Sequence, residues 1–313
     1  MRTLFIGAGP LSSLYAHLLH RSGADVSVLA RGARHDWIRQ NGLILVNEIT
    51  GEKDSTRVRV LSDLEAGEAF DLVIVLVRKN KLPPIFELLA AREDANLLFM
   101  GNNALGFDEY REHLPAEKLV FGFPGAGGGL REEVVHYADR EKPRAARRAV
   151  TLGEIDGTHG SRLSEISSLF ESADVPVDRT PDIDGWLKYH AALVLPLVYA
   201  LYKHDCDARR TAGDKETLRA VIRGAKEGGR VLRALGFTKR QPFQFNLFYW
   251  LPEALSVKAV KELLTSRFAE IAFAMHAESA RDEMRALTEE FRELTTRTSV
   301  ATPNLDALRA FIA

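Results

Sequence analysis

Cysteine is almost missing from this chain. Cys206 is the one thiol in 313 residues, which excludes an internal disulfide framework and a cysteine-rich metal centre, and no metal is expected. Charge of one sign is missing as well. The 42 Lys+Arg stand against 43 Asp+Glu, a formal net charge of −1, so nothing electrostatic argues for nucleic acid as a partner. Long hydrophobic runs are also lacking. The longest apolar stretch, AALVLPLVYAL over 191–201, contains a proline and falls well short of the ~20 residues that a membrane-spanning helix needs. The opening MRTLFIGAG has only a short apolar run ending in glycines, unlike the apolar core of a secretory signal. The expectation is a cytoplasmic protein with neither a membrane nor a nucleic acid as partner.

What remains is an ordinary globular composition, 46% hydrophobic and 27% charged, in a chain long enough for two domains of roughly 100–200 residues. The first part alternates between short apolar runs and helical periodicities. TLFI (3–6), VSVL (26–29), LVIVLV (72–77), NLLFM (96–100) and 119–121 read as strands, and 14–19 and 36–40 as helices. Continuous apolar runs of this length suit a parallel sheet buried on both faces. Residues 132–155 return as extended structure around a basic stretch, 140–148, which is most simply a solvated loop. After TPDID (180–184) no strand is evident. Helical periodicity runs over 185–202 and 215–235, with Gly236 as a helix stop, and two further helices are expected within 257–297. The fold class is therefore α/β, an N-terminal Rossmann-type parallel-sheet domain (1–180) followed by an all-helical C-terminal domain (181–313).

The strongest local signal is TLFIGAGPLSSLYAHLL. Gly7 and Gly9 take the first two positions of G-x-G-x-x-G and Ser12 the third. The first glycine permits a tight turn and the second lets the backbone approach a pyrophosphate. The helix that opens at Pro10, Leu11 and Ser12 presents its positive end to the phosphate. Strand–turn–helix context is what lifts such a short motif above chance. The end of the next strand, VSVLARGARHD, lacks the Asp or Glu that would bond the ribose hydroxyls of NAD. It offers Arg31 and Arg34 instead, whose guanidinium forks suit a 2′-phosphate, so NADP is the expected cofactor. Solvent-facing loop arginines are the plainer alternative.

Five segments in order, GAGPLSSLYAHLL, VSVLARGARHDWIRQNGL, DLVIVLVRKNK, MGNNALGFDE and GWLKYHAALVLPL, resemble the ketopantoate reductase family. The resemblance runs from residue 1 to about 200 and continues weakly through DEMRALTEEF. It implies a Rossmann domain followed by a helical domain, and NADPH-dependent reduction of 2-dehydropantoate to pantoate, a step of pantothenate biosynthesis. Position by position, Lys188 matches the catalytic lysine, which donates the proton accompanying hydride transfer in a cleft between the domains. Asn103, with Asn102 one residue away, matches the asparagine near nicotinamide and substrate. Glu289, with Glu290 equally close in register, matches the substrate-side glutamate. Plainer readings stand beside each: a snorkelling helix lysine, an Asn/Gly turn, and surface carboxylates on a charged helix.

The departures bear on the substrate. Arg78, with Lys79 beside it, stands where the family has lysine. Arginine keeps the charge but not the geometry. Ala192 and Pro196 stand where two asparagines usually follow the catalytic lysine, a loss of hydrogen bonds expected to make the pocket more apolar. His190, two residues from Lys188, lies on another face of its helix. Phe243, Phe245, Phe248, Tyr249 and Trp250 are core aromatics or the lining of a pocket, and Gly125–Gly129 reads as too flexible for a regular element. Three outcomes stay open: a 2-oxo acid reductase, a dehydrogenase with a bulkier or less polar carbonyl or imine substrate, and a non-catalytic NADP-binding regulator. The apolar faces of the C-terminal helices either pack internally or form a homodimer, and periodicity does not distinguish the two.

Overall fold

A computed structural model of the chain describes residues 1–64, 68–92, 95–139, 149–238 and 243–312. Its packing forms two compact units, Met1–Gly101 with Phe107–Ile183, and Asn102–Gly106 with Asp184–Ala313. A linear division at residue 180 does not capture the five residues 102–106, which leave the first unit and return to it. The basic stretch 140–148 lies outside the described residues.

The first unit runs β1 (Arg2–Ile6), α1 (Pro10–Arg21), β2 (Asp25–Leu29), α2 (Gly32–Asn41), β3 (Leu43–Asn47), β4 (Lys53–Thr56), β5 (Arg59–Leu61), β6 (Leu72–Val75), α3 (Pro83–Ala90), β7 (Asn96–Met100), α4 (Asp108–His113), β8 (Leu119–Phe123), β9 (Gly127–Arg131), β10 (Val134–Ala138), β11 (Val150–Glu154), α5 (Ser161–Ser172) and β12 (Val177–Arg179). Eight strands form the main sheet in the order β12-β11-β8-β7-β6-β1-β2-β5. All its pairs are parallel except β8 with β11. The four residues of β6 are all buried, the signature of a strand covered on both faces. The strand order reverses at β1, whose neighbours are β2 and β6, so the carboxyl end of β1 is a topological switch point, the usual place for a ligand in an open α/β sheet.

A second sheet, β4-β3-β10-β9, lies on the other side of α1, which touches strands of both sheets. That double contact explains why α1 buries seven residues, Ser12–His17 and Leu19, more than one amphipathic stripe accounts for. Tyr15 stacks edge-on to Phe170 at 5.8 Å, and its hydroxyl accepts the Ala126 N–H at 3.3 Å. Gly127–Gly129 corrects the expectation of an irregular glycine loop, since these residues form most of β9, paired antiparallel with β10. A Cβ on Gly128 would lie 2.7 Å from the His136 carbonyl oxygen, so glycine here serves close strand approach rather than mobility.

The second unit is helical: α6 (Ile183–Lys203, the unit beginning at Asp184), α7 (Ala208–Gly213), α8 (Lys215–Ala234), α9 (Phe243–Trp250), α10 (Glu253–Leu264), α11 (Arg267–Ala269), a π-turn over Glu270–Ala274, α12 (Met275–Ser279), α13 (Arg281–Thr296) and α14 (Pro303–Arg309). Where two helices are expected within 257–297, the chain is broken into more pieces, with breaks at Ser266, the π-turn and Ala280. Ala192 and Pro196 on α6 face glycines of α8. A Cβ added to Gly228 would lie 3.0 Å from Ala192 Cβ, and one added to Gly224 would lie 3.3 Å from Pro196 Cβ. No described helix is long and apolar enough to cross a membrane.

Candidate active site

The glycine-rich turn is built by short-range chemistry. Gly7 has φ +106°, and a Cβ there would lie 2.8 Å from the Leu76 carbonyl oxygen, so both conformation and space demand glycine. Ser12, the third motif position, donates its hydroxyl to Gly7 O at 2.6 Å and ties the helix to the turn. Gly9 is the N-cap of α1 with Pro10 at the first position, and nothing lies within 4 Å of a Cβ built on it. The first intrahelical bond is Ser13 N–H to Gly9 O at 2.9 Å. The earlier amides, those of Leu11 and Ser12, have no intrahelical partner and make a positive helix end.

The basic residues after the turn have different surroundings. Arg31 is exposed, at the N-cap of α2 in extended conformation. Arg34 points back into the turn: its guanidinium donates to Ala8 O at 3.0 Å, Ser13 Oγ at 3.2 Å and the Glu133 carbonyl at 2.5 Å. Burial holds its pKa below the usual guanidinium value. Arg78 caps the 3₁₀ turn Lys79–Lys81 that follows β6, and Lys79 Nζ lies 3.9 Å from Glu109.

The lysine on α6 sits in a different chemical setting. Lys188 is 2% exposed and pairs with Asp184, one helical turn earlier. Its ammonium lies 4.9 Å from the Phe237 ring centroid. The 102–106 loop covers this pair. A Cβ on Gly106 (φ +92°) would lie 3.3 Å from Asp184 Oδ1 and 3.4 Å from Lys188 Nζ, so only glycine permits both the turn and the approach. Asn103, buried, holds the loop closed: Nδ2–H donates to Gly106 O at 2.7 Å, and Oδ1 accepts the Gly106 N–H at 3.2 Å.

Helix α13 grips the same loop. Glu283 accepts from Asn102 Nδ2 at 2.8 Å, and Glu290 accepts the Ala104 N–H at 2.8 Å. Positions 283 and 290 lie two turns apart on one face. Glu289, one residue off, is exposed and pairs with Arg292 at 2.8 Å. Of the two, Glu290 meets the loop and Glu289, a step of ~100° around the helix, does not. Asn102 and Asn103 also differ: Asn102 Oδ1 is buried with no donor among the described residues.

Asp184, Glu283 and Phe237 are site residues that sequence reasoning did not single out. Asp184 was within reach, as a carboxylate one turn before a lysine. The buried face of α13, marked by Met284, Leu287, Phe291 and Leu294, was the signal for Glu290. Nothing local pointed to Glu283 or Phe237. His190 stacks on Trp186 at 5.3 Å with rings nearly parallel. Among the aromatics, Phe245 is fully buried against Tyr189 and Trp250 is 71% exposed. The side chain of Phe243 lies outside the described residues. Ala192 and Pro196, expected to make a pocket wall apolar, are instead buried where α6 meets α8.

Residues 3–153 match a family described as ketopantoate reductase PanE/ApbA. A 2-dehydropantoate 2-reductase of Mesorhizobium japonicum is 32% identical over 91 residues, 29% of this chain and 27% of that protein, so the match spans about a quarter of the relative's length. Two solved structures share the fold over the whole chain. They are 2-dehydropantoate 2-reductase from Geobacter metallireducens (TM-score 0.82, 19% identity, covering 100% and 99% of the two chains) and D-mandelate dehydrogenase with NADH and anilino(oxo)acetate (TM-score 0.80, 15% identity, covering 100% and 97%). The stretch that is similar to the ketopantoate reductase family is thus residues 3–153, and the likeness of the rest of the chain to these proteins is one of fold.

Proposed function

We propose that the protein is an oxidoreductase that uses NADPH to reduce a 2-oxo acid to the 2-hydroxy acid, with 2-dehydropantoate to pantoate as the leading case. The observation that carries the reading is buried Lys188 paired with the partly exposed Asp184 beneath Gly106, since a buried lysine needs a reason to be there. Lys188 Nζ–H donates to the substrate carbonyl oxygen and delivers the proton as that oxygen gains charge. Asp184 pairs with the ammonium and aims it. Asn103 shapes the loop over Lys188, and Asn102 Oδ1 offers an acceptor to a ligand hydroxyl or amide. Arg78 and Lys79 supply positive charge for an anionic group.

The turn fits a dinucleotide: Gly9 leaves open the space that a side chain would fill, and α1 begins behind it. When bound, the reduced nicotinamide supplies the hydride, while the protein contributes position and electrostatics. The preference for NADP rests on Arg31 and on the missing carboxylate at the end of β2. Cytoplasmic location and homodimerisation through the helical unit belong to the same reading.

The test is NADPH oxidation by the purified chain with ketopantoate and a panel of 2-oxo acids, with NADH as control. Turnover with ketopantoate supports the leading case. NADPH binding with turnover only of other acids moves the substrate, and NADPH binding with no turnover makes the protein a regulator. A second reading is an aromatic or otherwise less polar 2-oxo acid, supported by the fold shared with a D-mandelate dehydrogenase.

A further inference from the structure

We infer that Arg34 is a positioning residue for the dinucleotide turn, clamping it to the tip of the β9–β10 hairpin, and that Arg31 meets the 2′-phosphate without it. The inference rests on the dinucleotide reading of the turn and divides labour between two arginines that look equivalent in sequence.

Three guanidinium nitrogens of Arg34 are engaged. Nε donates to Ala8 O at 3.0 Å, inside the G-x-G turn, and Nη2 to Ser13 Oγ at 3.2 Å on the first turn of α1. Nη1 donates to the Glu133 carbonyl oxygen at 2.5 Å and to its carboxylate at 3.0 Å. Ser13 Oγ itself lies 3.3 Å from Ala8 O, so the arginine closes a small network around the turn. The fork also lies over Trp37, 5.3 Å from the ring centroid, and the side chain is only 13% exposed. A guanidinium has five N–H donors in a rigid plane. Turning this one outward to a phosphate would abandon four contacts and leave the Ala8 and Glu133 carbonyls without it.

The hairpin end of the clamp is strained. Glu132 (φ +48°) and Glu133 (φ +66°) form the two-residue turn between β9 and β10. Two successive positive φ values suit such a turn, but Asn and Gly adopt them far more readily than Glu. Arg34 bonds both the backbone and the carboxylate of Glu133, which supplies a reason for the strained residue. Arg34, bonded to the turn, is thereby tied to the hairpin across 99 residues of sequence. Arg31 has the opposite character, exposed at the end of the strand where an adenosine ribose is read in this fold.

The test uses the full chain with Arg31→Met, Arg34→Met, Arg34→Lys and Glu133→Gln. NADPH and NADH affinities are titrated, and hydrogen exchange of residues 7–14 is followed with no cofactor present. Arg34→Met is expected to weaken both dinucleotides by about tenfold, the loss of one to two net hydrogen bonds. The NADPH-to-NADH ratio should stay unchanged, and exchange over 7–14 should rise. Arg34→Lys, which keeps the charge and loses the fork, should behave alike. Arg31→Met should weaken NADPH alone and leave exchange untouched. If Arg34→Met does not fold, Glu133→Gln gives a smaller, equal loss for both dinucleotides. A selective loss of NADPH in Arg34→Met with unchanged exchange would overturn the inference and make Arg34 a phosphate ligand. Failure of the unmodified chain to bind either dinucleotide would instead overturn the cofactor reading, while the exchange data would still decide the clamp.

Discussion

The turn after β1 and the surroundings of Lys188 contrast in how far along the chain their bonds reach. Ser12 closes on Gly7 across five residues, and the whole motif fits within one strand, one turn and one helix. Asn102 reaches Glu283 across 181 residues, and Ala104 reaches Glu290 across 186. The first is a local solution, in which two glycines and a helix start build the whole turn, the kind of element that suits an anion. The second exists only once α6, α13 and a five-residue excursion between β7 and α4 have come together. Chemistry that needs a backbone can be carried in a motif, whereas chemistry that needs a buried charge with a partner needs a core.

Substitutions can sharpen that contrast. The largest effect is expected at Lys188. Lys188→Ala should lower turnover by about 10²–10⁴-fold, the range for a lost proton donor, with dinucleotide affinity unchanged by titration. If both fall together, the two regions are not separable as described.

Next comes the turn itself. Gly7→Ala forces a side chain onto a positive φ and against Leu76 O, and should cost about 1–3 kcal/mol of stability in denaturant unfolding. Gly9→Ala meets no protein atom, so it should leave stability alone and weaken dinucleotide binding. That pair separates the structural glycine from the ligand-facing one.

In the helical unit, Glu290→Ala strips the acceptor from the Ala104 N–H and should cost about 1–3 kcal/mol. Glu289→Ala, on the exposed face, should stay within about 0.5 kcal/mol. Equal costs would contradict the assignment of the buried face to Glu290.

The smallest effect concerns pH and belongs to the first unit. His17 on α1 is buried, bonded to Thr56 Oγ1 at 2.7 Å, and lies 3.6 Å from Asp54, with Arg21 and His20 nearby. Burial lowers its pKa; Asp54 opposes this, and Arg21 and His20 add to it. The unfolded chain therefore takes up this proton first. Its contribution is complete above the ordinary value of about 6.5 and declines as pH falls toward the folded value. Unfolding measured across that window should show the slope, and His17→Asn should flatten it.

Much of the first unit was legible in the sequence. Buried strands write themselves as apolar runs, and Gly7, Gly9 and Ser12 stand where a dinucleotide turn needs them. The β9 glycines were not legible, because a run of glycine reads as a loop until a partner strand supplies the reason for close approach. Arg31 and Arg34 were indistinguishable for a related reason, since only the Glu133 hairpin, far along the chain, turns one inward.

The sequence by itself determined the alternation of strands and helices in the first unit, the glycine turn and the helical character of the second unit. Periodicity and backbone conformation are local properties that a stretch of ten to twenty residues carries within itself. Tertiary structure alone decided that α1 is buried between two sheets, that residues 102–106 join the helical unit, that Glu290 rather than Glu289 meets the loop, and that Ala192 and Pro196 face α8. Each of these depends on which surfaces meet, and a one-residue step on a helix, about 100°, turns a half-buried acceptor into a solvated one.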